Sequence, residues 1–288
     1  MSWLKKLNTF FLISNLFISA CVVALCQSSA ILLNVDITHI LPFVFFSTLF
    51  SYNFQRYVRF KSSENGFSQL QWLKQQEGLL KIITVLSFVL TLYFSFSLSL
   101  QSLYLLVPAV LITLLYPLTY TFFGRRIILR EIPGLKIFLI VVVWTIVSVG
   151  LVVSESDTSF STEVCLLMAS RFFFVLSITI PFDIRDLKYD KQSMKTIPQL
   201  FGVEKSKWIA LWSLALYELS SIAHFLFVDF SALLLIALLL TSLYVGVLIY
   251  KTNEEKNETF YTFWMEGSSL LMYLLLFIIP MAFGIFVP

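Results

Sequence analysis

The feature that most constrains this chain is a series of apolar runs, each about 20 residues long, that recurs from one end of the sequence to the other. A helix of that length crosses a hydrocarbon core about 30 Å thick. Hydrophobic residues make up 58% of the 288 and charged residues only 13%, whereas a soluble domain carries about a quarter charged residues. Lipid must therefore be part of the solvent, and a backbone in lipid satisfies all its donors and acceptors only in helices or a closed barrel. Because the runs are continuous rather than alternating, the sequence predicts an all-α membrane protein.

Nine transmembrane helices are predicted. Their approximate bounds are 8–28, 36–57, 79–99, 102–123, 133–153, 161–183, 206–227, 229–250 and 260–287. They occupy so much of the chain that we expect one transmembrane helical domain over residues 1–288 and no second, soluble domain. Lys5 and Lys6 precede the first run as in a signal peptide, but no small-residue cleavage site follows, so we expect an uncleaved first helix.

The distribution of basic residues predicts the orientation of these helices, because Lys and Arg are enriched in cytoplasmic segments. With nine spans and the N-terminus inside, 19 of the 20 Lys and Arg side chains fall in inner segments, and the other, Arg171, lies within the sixth span. The predicted outer segments carry acids instead, namely Asp36, Glu155, Asp157, Glu163 and Asp229. We therefore expect a multi-pass protein with its N-terminus and long loops in the cytoplasm and its C-terminus on the opposite side. The basic inner face suits anionic lipid headgroups or an anionic substrate, although ordinary topology signals explain most of it, and no nucleic-acid-binding module is recognisable.

A cluster of acids at the inner end of the sixth span is the main candidate for chemistry. Asp183, Asp186 and Asp190 are spaced i, i+3 and i+7, which places them on one face of a helix. Three acids on one face repel one another unless a cation gathers them, and Mg²⁺ prefers oxygen ligands and completes its shell with phosphates. Lys191 and Lys195 follow and could bind phosphate oxygens directly. The alternative is a solvated helix end whose acids pair with basic residues of the same segment.

The same segment resembles a known family motif. Asp183-x-x-Asp186-x-x-x-Asp190, followed by Lys195-Thr196-Ile197-Pro198 and Phe201-Gly202, resembles the second aspartate-rich motif of the UbiA superfamily of intramembrane prenyltransferases, and it stands at the position where that family has it. Tyr116-Pro117 and the run from Leu129 to Lys136 resemble further family elements. The resemblance implies about nine helices bundled around a central cavity. It also implies that Mg²⁺ holds the diphosphate of a polyprenyl donor, whose prenyl group passes to an aromatic or other lipid-soluble acceptor.

The chain departs from the family at the first aspartate-rich motif. The family pattern there is Asn-Asp-x-x-Asp-x-x-x-Asp, at the inner end of the second span. Asn53 matches, but Phe54, Tyr57 and Lys61 stand at the three aspartate positions. The metal ligands that the resemblance implies therefore carry over only at the second motif.

Three interpretations of this departure remain open. In the first, Arg56, Arg59 and Lys61 supply fixed positive charge to a donor diphosphate in place of the missing metal, with Asn53 as a further phosphate contact and a single Mg²⁺ on the other side. In the second, diphosphate chemistry has been lost and the protein is a non-catalytic isoprenoid- or lipid-binding relative. In the third, these basic residues merely anchor the second span. A small transporter is less favoured, because helices broken near the midplane are not evident.

Two further acids and one arginine fall inside predicted spans. Arg171 lies near the middle of the sixth span, where an unpaired charge costs at least about 2.5–3.5 kcal/mol. Glu218 is about equally deep in the seventh span, so we expect a structural Arg171–Glu218 ion pair. Glu266, near the start of the last span, and Tyr116 are candidates for the mouth of the cavity.

Overall fold

The described part of the chain is almost entirely helical. The structure is a computed structural model that describes residues 14–62, 77–122, 125–128, 132, 134–156, 158–228 and 231–284, with side chains for all of these except 59–62, 119–122 and 125–128. The helices are α1 (Leu16–Leu33), α2 (Leu41–Ser62), α3 (Glu77–Ser95), α4 (Leu100–Leu115), α5 (Leu135–Glu155), α6 (Thr162–Asp186), the short α7 (Ile197–Phe201), α8 (Val203–Phe227), α9 (Ala232–Lys251) and α10 (Phe260–Ala282). Two short strands, β1 (Thr119–Phe122) and β2 (Arg125–Ile128), pair antiparallel between α4 and α5.

Seven of these helices are long and apolar enough to cross a membrane. They are α1, α3, α5, α6, α8, α9 and α10. The remaining two long helices take the positions of the predicted second and fourth spans. Of these, α4 is apolar but only 16 residues long, and α2, at 22 residues, carries basic side chains in its last turns. The predicted all-helical, multi-pass membrane fold is confirmed, while residues 8–13 of the predicted first span lie outside the described residues.

The fourth span is shorter than predicted, and the cause is local. The prediction extended it to residue 123, but α4 ends at Leu115 and the first strand begins at Thr119. Pro117 lies between them and has no backbone N–H to continue the helical ladder. Tyr116 therefore sits at the end of α4, with its side chain only 8% exposed.

The helices close into a bundle. Each of α1, α2, α4, α5, α6, α8, α9 and α10 contacts the next in this order, and α10 returns to contact α1. In contrast, α3 packs against α2 at the periphery, and only 6% of it is buried. Helix α1 is the most enclosed, with 72% of its residues buried. Polar side chains that point into the bundle therefore meet α1 and α6.

Side chains at the two ends of the bundle have different chemistry. At one end, Glu155 accepts a hydrogen bond from the backbone N–H of Ser99 (2.8 Å) and lies 3.1 Å from Nε2 of His39. These contacts join the ends of α4 and α5 to the turn before α2. The other end, which carries Asp183, Asp186 and Asp190, is called the motif end below. It holds a larger network of charges, and that network is the candidate site.

Candidate functional site

The three acids of the motif come from the last turns of α6 and the turn that follows. Asp183 lies within α6 and its side chain is 2% exposed, and Asp186 is the last residue of the helix. The backbone N–H of Asp190 donates to the carbonyl oxygen of Asp186 (2.8 Å), so the chain folds back as it leaves the helix. This turn, rather than a continued helix, returns the Asp190 carboxylate to the side of Asp183.

Lys136 brings the three carboxylates together. Its Nζ lies 2.7 Å from Oδ1 of Asp183, 2.7 Å from Oδ2 of Asp190 and 3.7 Å from Oδ2 of Asp186. Lys136 is the second residue of α5 and is only 8% exposed. A buried ammonium group requires partners, because an unpaired charge out of water is costly. The acids therefore do gather around a cation, and the cation is a side chain of the protein.

Arg185 extends the network to α10. Its Nε lies 2.8 Å from Oδ1 of Asp186, and its Nη1 lies 3.5 Å from Oε1 of Glu258. The guanidinium also lies over the rings of Phe182 (5.0 Å) and Tyr261 (5.7 Å). Arg185 and Lys136 together leave the three aspartates with one net negative charge.

Gln199, on the short helix α7, fixes the loop that follows the motif. Its side-chain amide donates to the carbonyl oxygens of Asp190 (3.2 Å) and Lys191 (3.1 Å), and its oxygen accepts from the backbone N–H of Thr196 (3.0 Å). The side chains of Lys191 and Lys195 are exposed. Both remain accessible to an anion at this end of the bundle.

The residues predicted on α2 form a second polar group. Asn53 is 2% exposed; its amide donates to the carbonyl oxygens of Ser14 (3.1 Å) and Leu49 (2.9 Å). Its oxygen accepts from Nδ2 of Asn15 (3.0 Å), and Asn15 in turn accepts from Nη2 of Arg56 (2.8 Å). Asn53 thus holds α2 against the chain before α1. The side chains of Arg59 and Lys61 lie outside the described residues.

Glu266 connects the two groups. The charges of Arg185 and of Arg56 both act on its carboxyl group. Its position at the start of α10 therefore places it between the end of α2 and the end of α6. Glu266 thus lies within electrostatic range of both Arg56 and Arg185, and Arg185 contacts the acid motif.

Arg171 binds partners other than the predicted one. Its guanidinium donates to the carbonyl oxygen of Leu25 (3.2 Å) and to Oγ of Ser29 (2.9 Å), both on α1, and Nη1 lies 3.4 Å from the sulfur of Met272. Glu218 instead accepts a 2.6 Å hydrogen bond from Ser242. The predicted Arg171–Glu218 ion pair does not form, because Arg171 faces α1 and α10 whereas Glu218 faces α9.

The arrangement of the acids does not fit a divalent cation. Within the described residues, no group of three or more His, Cys, Asp and Glu side chains is placed to hold a metal ion. The Lys136 ammonium lies between the Asp183 and Asp190 carboxylates, at hydrogen-bonding distance from both. A cation that bound all three acids would need that position. The three aspartates therefore do not form a Mg²⁺ site in this arrangement.

Sequence reasoning missed the role of Lys136, although a signal was present. Gly134, which has φ of +72°, precedes α5, and Lys136 is the second residue of that otherwise apolar helix. A lone lysine just inside an apolar helix must find an acid, and the motif was the nearest predicted cluster. Its pairing with Asp183 joins residues 47 positions apart, so no local pattern identifies it.

Solved structures share this fold. A UbiA homologue from Aeropyrum pernix K1, in its apo form, is 15% identical with a TM-score of 0.63 over 90% of this chain and 96% of that one. A UbiA homologue from Archaeoglobus fulgidus, bound to GPP and Mg²⁺, is 13% identical with a TM-score of 0.62 over 93% and 99% of the two chains. A structure of digeranylgeranylglyceryl phosphate synthase is 16% identical with a TM-score of 0.56 over 94% and 96%.

The family is identified by sequence as well. No curated protein matches the chain. The sequence profile of the UbiA prenyltransferase family, however, matches residues 73–270, which is more than half of the chain and includes Lys136, the whole acid motif and Glu266. The chain therefore belongs to the UbiA prenyltransferase family.

Proposed function

We propose that this protein is a membrane-embedded prenyltransferase that moves a prenyl group from a polyprenyl diphosphate to a lipid-soluble acceptor. The observation that carries the proposal is the cluster of charged side chains at one end of a lipid-embedded bundle, where Lys136 and Arg185 contact the acid motif and Glu266 lies within electrostatic range of Arg185 and Arg56. A diphosphate and a prenyl chain need such an arrangement, because one part of the donor is highly charged and the other is apolar. Family membership and the GPP-bound homologue from Archaeoglobus fulgidus agree with this donor class.

Prenyl transfer requires the site to stabilise the diphosphate as it leaves. The bond between the allylic carbon and the bridging oxygen breaks, and its electron pair stays with the diphosphate. The acceptor then supplies an electron pair that captures the allylic carbocation, and the acceptor loses a proton afterwards. Positive groups placed where this negative charge develops are the main source of acceleration. Arg56, which can bind phosphate oxygens bidentately, and the exposed Lys191 and Lys195 are the proposed groups.

The prenyl chain would lie in the bundle, with the charged groups at the motif end. The partition of Lys and Arg residues supports a cytoplasmic position for this end. A soluble diphosphate made in the cytoplasm would then reach the basic side chains directly, and its apolar tail and the acceptor would enter from the lipid.

A second candidate is a non-catalytic isoprenoid-binding relative. The specific observation in its favour is the loss of the first motif, where Phe54, Tyr57 and Lys61 replace three acids. Such a protein would bind a prenyl diphosphate, or another prenyl lipid, without breaking the carbon–oxygen bond.

Labelled prenyl diphosphates of several chain lengths distinguish these functions. The purified protein in lipid nanodiscs is incubated with each donor and a panel of lipid-soluble acceptors, with and without Mg²⁺, and both donor binding and diphosphate release are measured. Arg56→Gln and Asp183→Asn are the test variants. Lys207→Gln is the matched control, because Lys207 pairs with Glu204 away from the network. Release by the wild type that Arg56→Gln lowers supports the enzyme; binding without release supports the second candidate; and no binding of any donor contradicts both.

A further inference from the structure

We propose that Lys136 is a built-in counter-cation of the acid motif, which takes the position that a divalent ion would need and so prevents tight metal binding there. This inference rests on the proposed function for the identity of the ligand. Its test uses no prenyl substrate and is therefore independent of that function. Three carboxylates converge on one ammonium group, and two of the distances are 2.7 Å. Both Lys136 and Asp183 are buried, so solvent screens the interaction little.

The geometry favours the lysine over a free ion. The ammonium is carried on the first turn of α5, so its effective concentration near the acids is far above that of any free ion. Its N–H groups lie at hydrogen-bonding distance from the carboxylates of Asp183 and Asp190, and the Asp186 carboxylate lies 3.7 Å away. A Mg²⁺ ion would have to lose much of its tightly held water and also displace Lys136 from its buried position between these carboxylates.

Arg185 further weakens the attraction of the three acids for a metal ion. Arg185 binds Asp186 on the side away from Lys136, with Nε 2.8 Å from Oδ1. Two fixed cations therefore already oppose three acids, and little negative charge remains to attract a divalent ion. A site with one net negative charge is a weak ligand for a hard cation that is usually held by carboxylates and phosphates together.

The position of Lys136 affects how the proposed enzyme would stabilise its leaving group. With the acids engaged by Lys136 and Arg185, stabilisation of the leaving diphosphate falls to basic side chains of the chain itself. The replacement of the first-motif acids by Phe54, Tyr57 and Lys61 agrees with this, because it removes acids that would repel a diphosphate held without metal. Each half of the site thus contains a basic residue, Lys61 at the first motif and Lys136 at the second.

Mn²⁺ binding tests the proposal without any prenyl substrate. Free Mn²⁺ is measured by electron paramagnetic resonance during titration of the protein in zwitterionic nanodiscs. Lys136→Met should bind one Mn²⁺ at least about tenfold more tightly than the wild type, because removal of the ammonium frees the position between the Asp183 and Asp190 carboxylates and takes away the positive charge there. Lys136→Met with Asp183→Asn should lose that gain, and Lys207→Met should behave as the wild type.

Thermal unfolding gives a second readout of the same event. Mg²⁺ should raise the unfolding temperature of Lys136→Met and leave that of the wild type unchanged. Tight stoichiometric Mn²⁺ binding by the wild type that Asp183→Asn removes would overturn the proposal, and so would failure of Lys136→Met to gain affinity. If Lys136→Met cannot be purified, Lys136→Gln replaces it and the wild-type titration remains decisive. A failed prenyl-transfer assay leaves these results unaffected, so the two proposals fail independently.

Discussion

The ammonium of Lys136 and the carboxylate of Asp183 lie 2.7 Å apart, and neither is open to solvent. The pair joins the first turn of α5 to the last turns of α6. Removal of one partner from a buried ion pair costs about 3–5 kcal/mol, because the other charge stays buried. Lys136→Met, which leaves the buried Asp183 carboxylate without the ammonium, should therefore destabilise the protein by about this amount in metal-free solution. Asp183→Asn, which leaves Lys136 its other acids, should cost about 1–3 kcal/mol.

Denaturant unfolding of both variants and of the double variant measures this coupling. Because the two residues contact each other, the double variant should be more stable than the sum of the single changes implies. Additive effects would show that the two side chains do not interact in solution.

Sequence patterns were sufficient for the helices and for the location of the motif. Apolar runs determine which segments can cross a membrane, and the depth of a residue follows from its number along the helix. The partner of a buried side chain also depends on the rotation of the helix, which packing decides. Arg171 and Glu218 illustrate the difference: both are deep in their helices, as predicted, but they face different neighbours.

Because packing decides which helices meet, the sequence also could not predict the contacts within the candidate site. The spacing of Asp183, Asp186 and Asp190 predicted a site for Mg²⁺, and it could not identify Lys136 as the cation between them, because that contact joins two helices. The backbone turn after Asp186, which brings Asp190 back, was also beyond a simple helical projection. Asn53 was predicted as a phosphate contact, whereas in the structure its side-chain amide hydrogen-bonds with Ser14, Asn15 and Leu49.

Arg171 should be energetically independent of Glu218. Its guanidinium contacts α1 and α10, and its buried Nε has no hydrogen-bond acceptor. Burial of a charge with incomplete partners is seldom a net stabilisation, so Arg171→Met should be close to neutral or stabilising. A double-mutant cycle with Glu218→Gln should give a coupling energy below about 0.5 kcal/mol. Unfolding in detergent measures both, and a coupling above about 1 kcal/mol would instead support the ion pair predicted from sequence.

Glu266 should weaken the binding of an anionic ligand. Its carboxyl group interacts with the charges of Arg56 and Arg185, which reduces the positive potential that a diphosphate meets. Glu266→Gln should therefore bind a labelled prenyl diphosphate more tightly than the wild type at alkaline pH, where the Glu266 carboxyl is charged, by about tenfold if about 1.4 kcal/mol of attraction is gained, and about equally at acidic pH, where that carboxyl is neutral. Arg56→Gln should change affinity in the opposite direction. Equilibrium binding in nanodiscs tests this, with Glu204→Gln as the control acid outside the network; equal affinities for all variants would place the diphosphate elsewhere.

Gly267 should be required for the backbone conformation near the start of α10. A Cβ added at this position would clash with the backbone carbonyl oxygen of Phe263 and lie 3.2 Å from the ring of Phe17, whose stacking on Phe263 joins α1 to α10. Backbone cannot yield as a flexible side chain can, so Gly267→Ala should destabilise the protein by about 1–3 kcal/mol. Gly246→Ala is the matched control, because a Cβ there meets only a side-chain methyl group of Leu214 at 3.6 Å. Since Gly267 follows Glu266 directly, Gly267→Ala should also change prenyl diphosphate affinity, whereas Gly246→Ala should not. Equal unfolding temperatures for the two variants would show that the close approach at Gly267 is not a constraint on the fold.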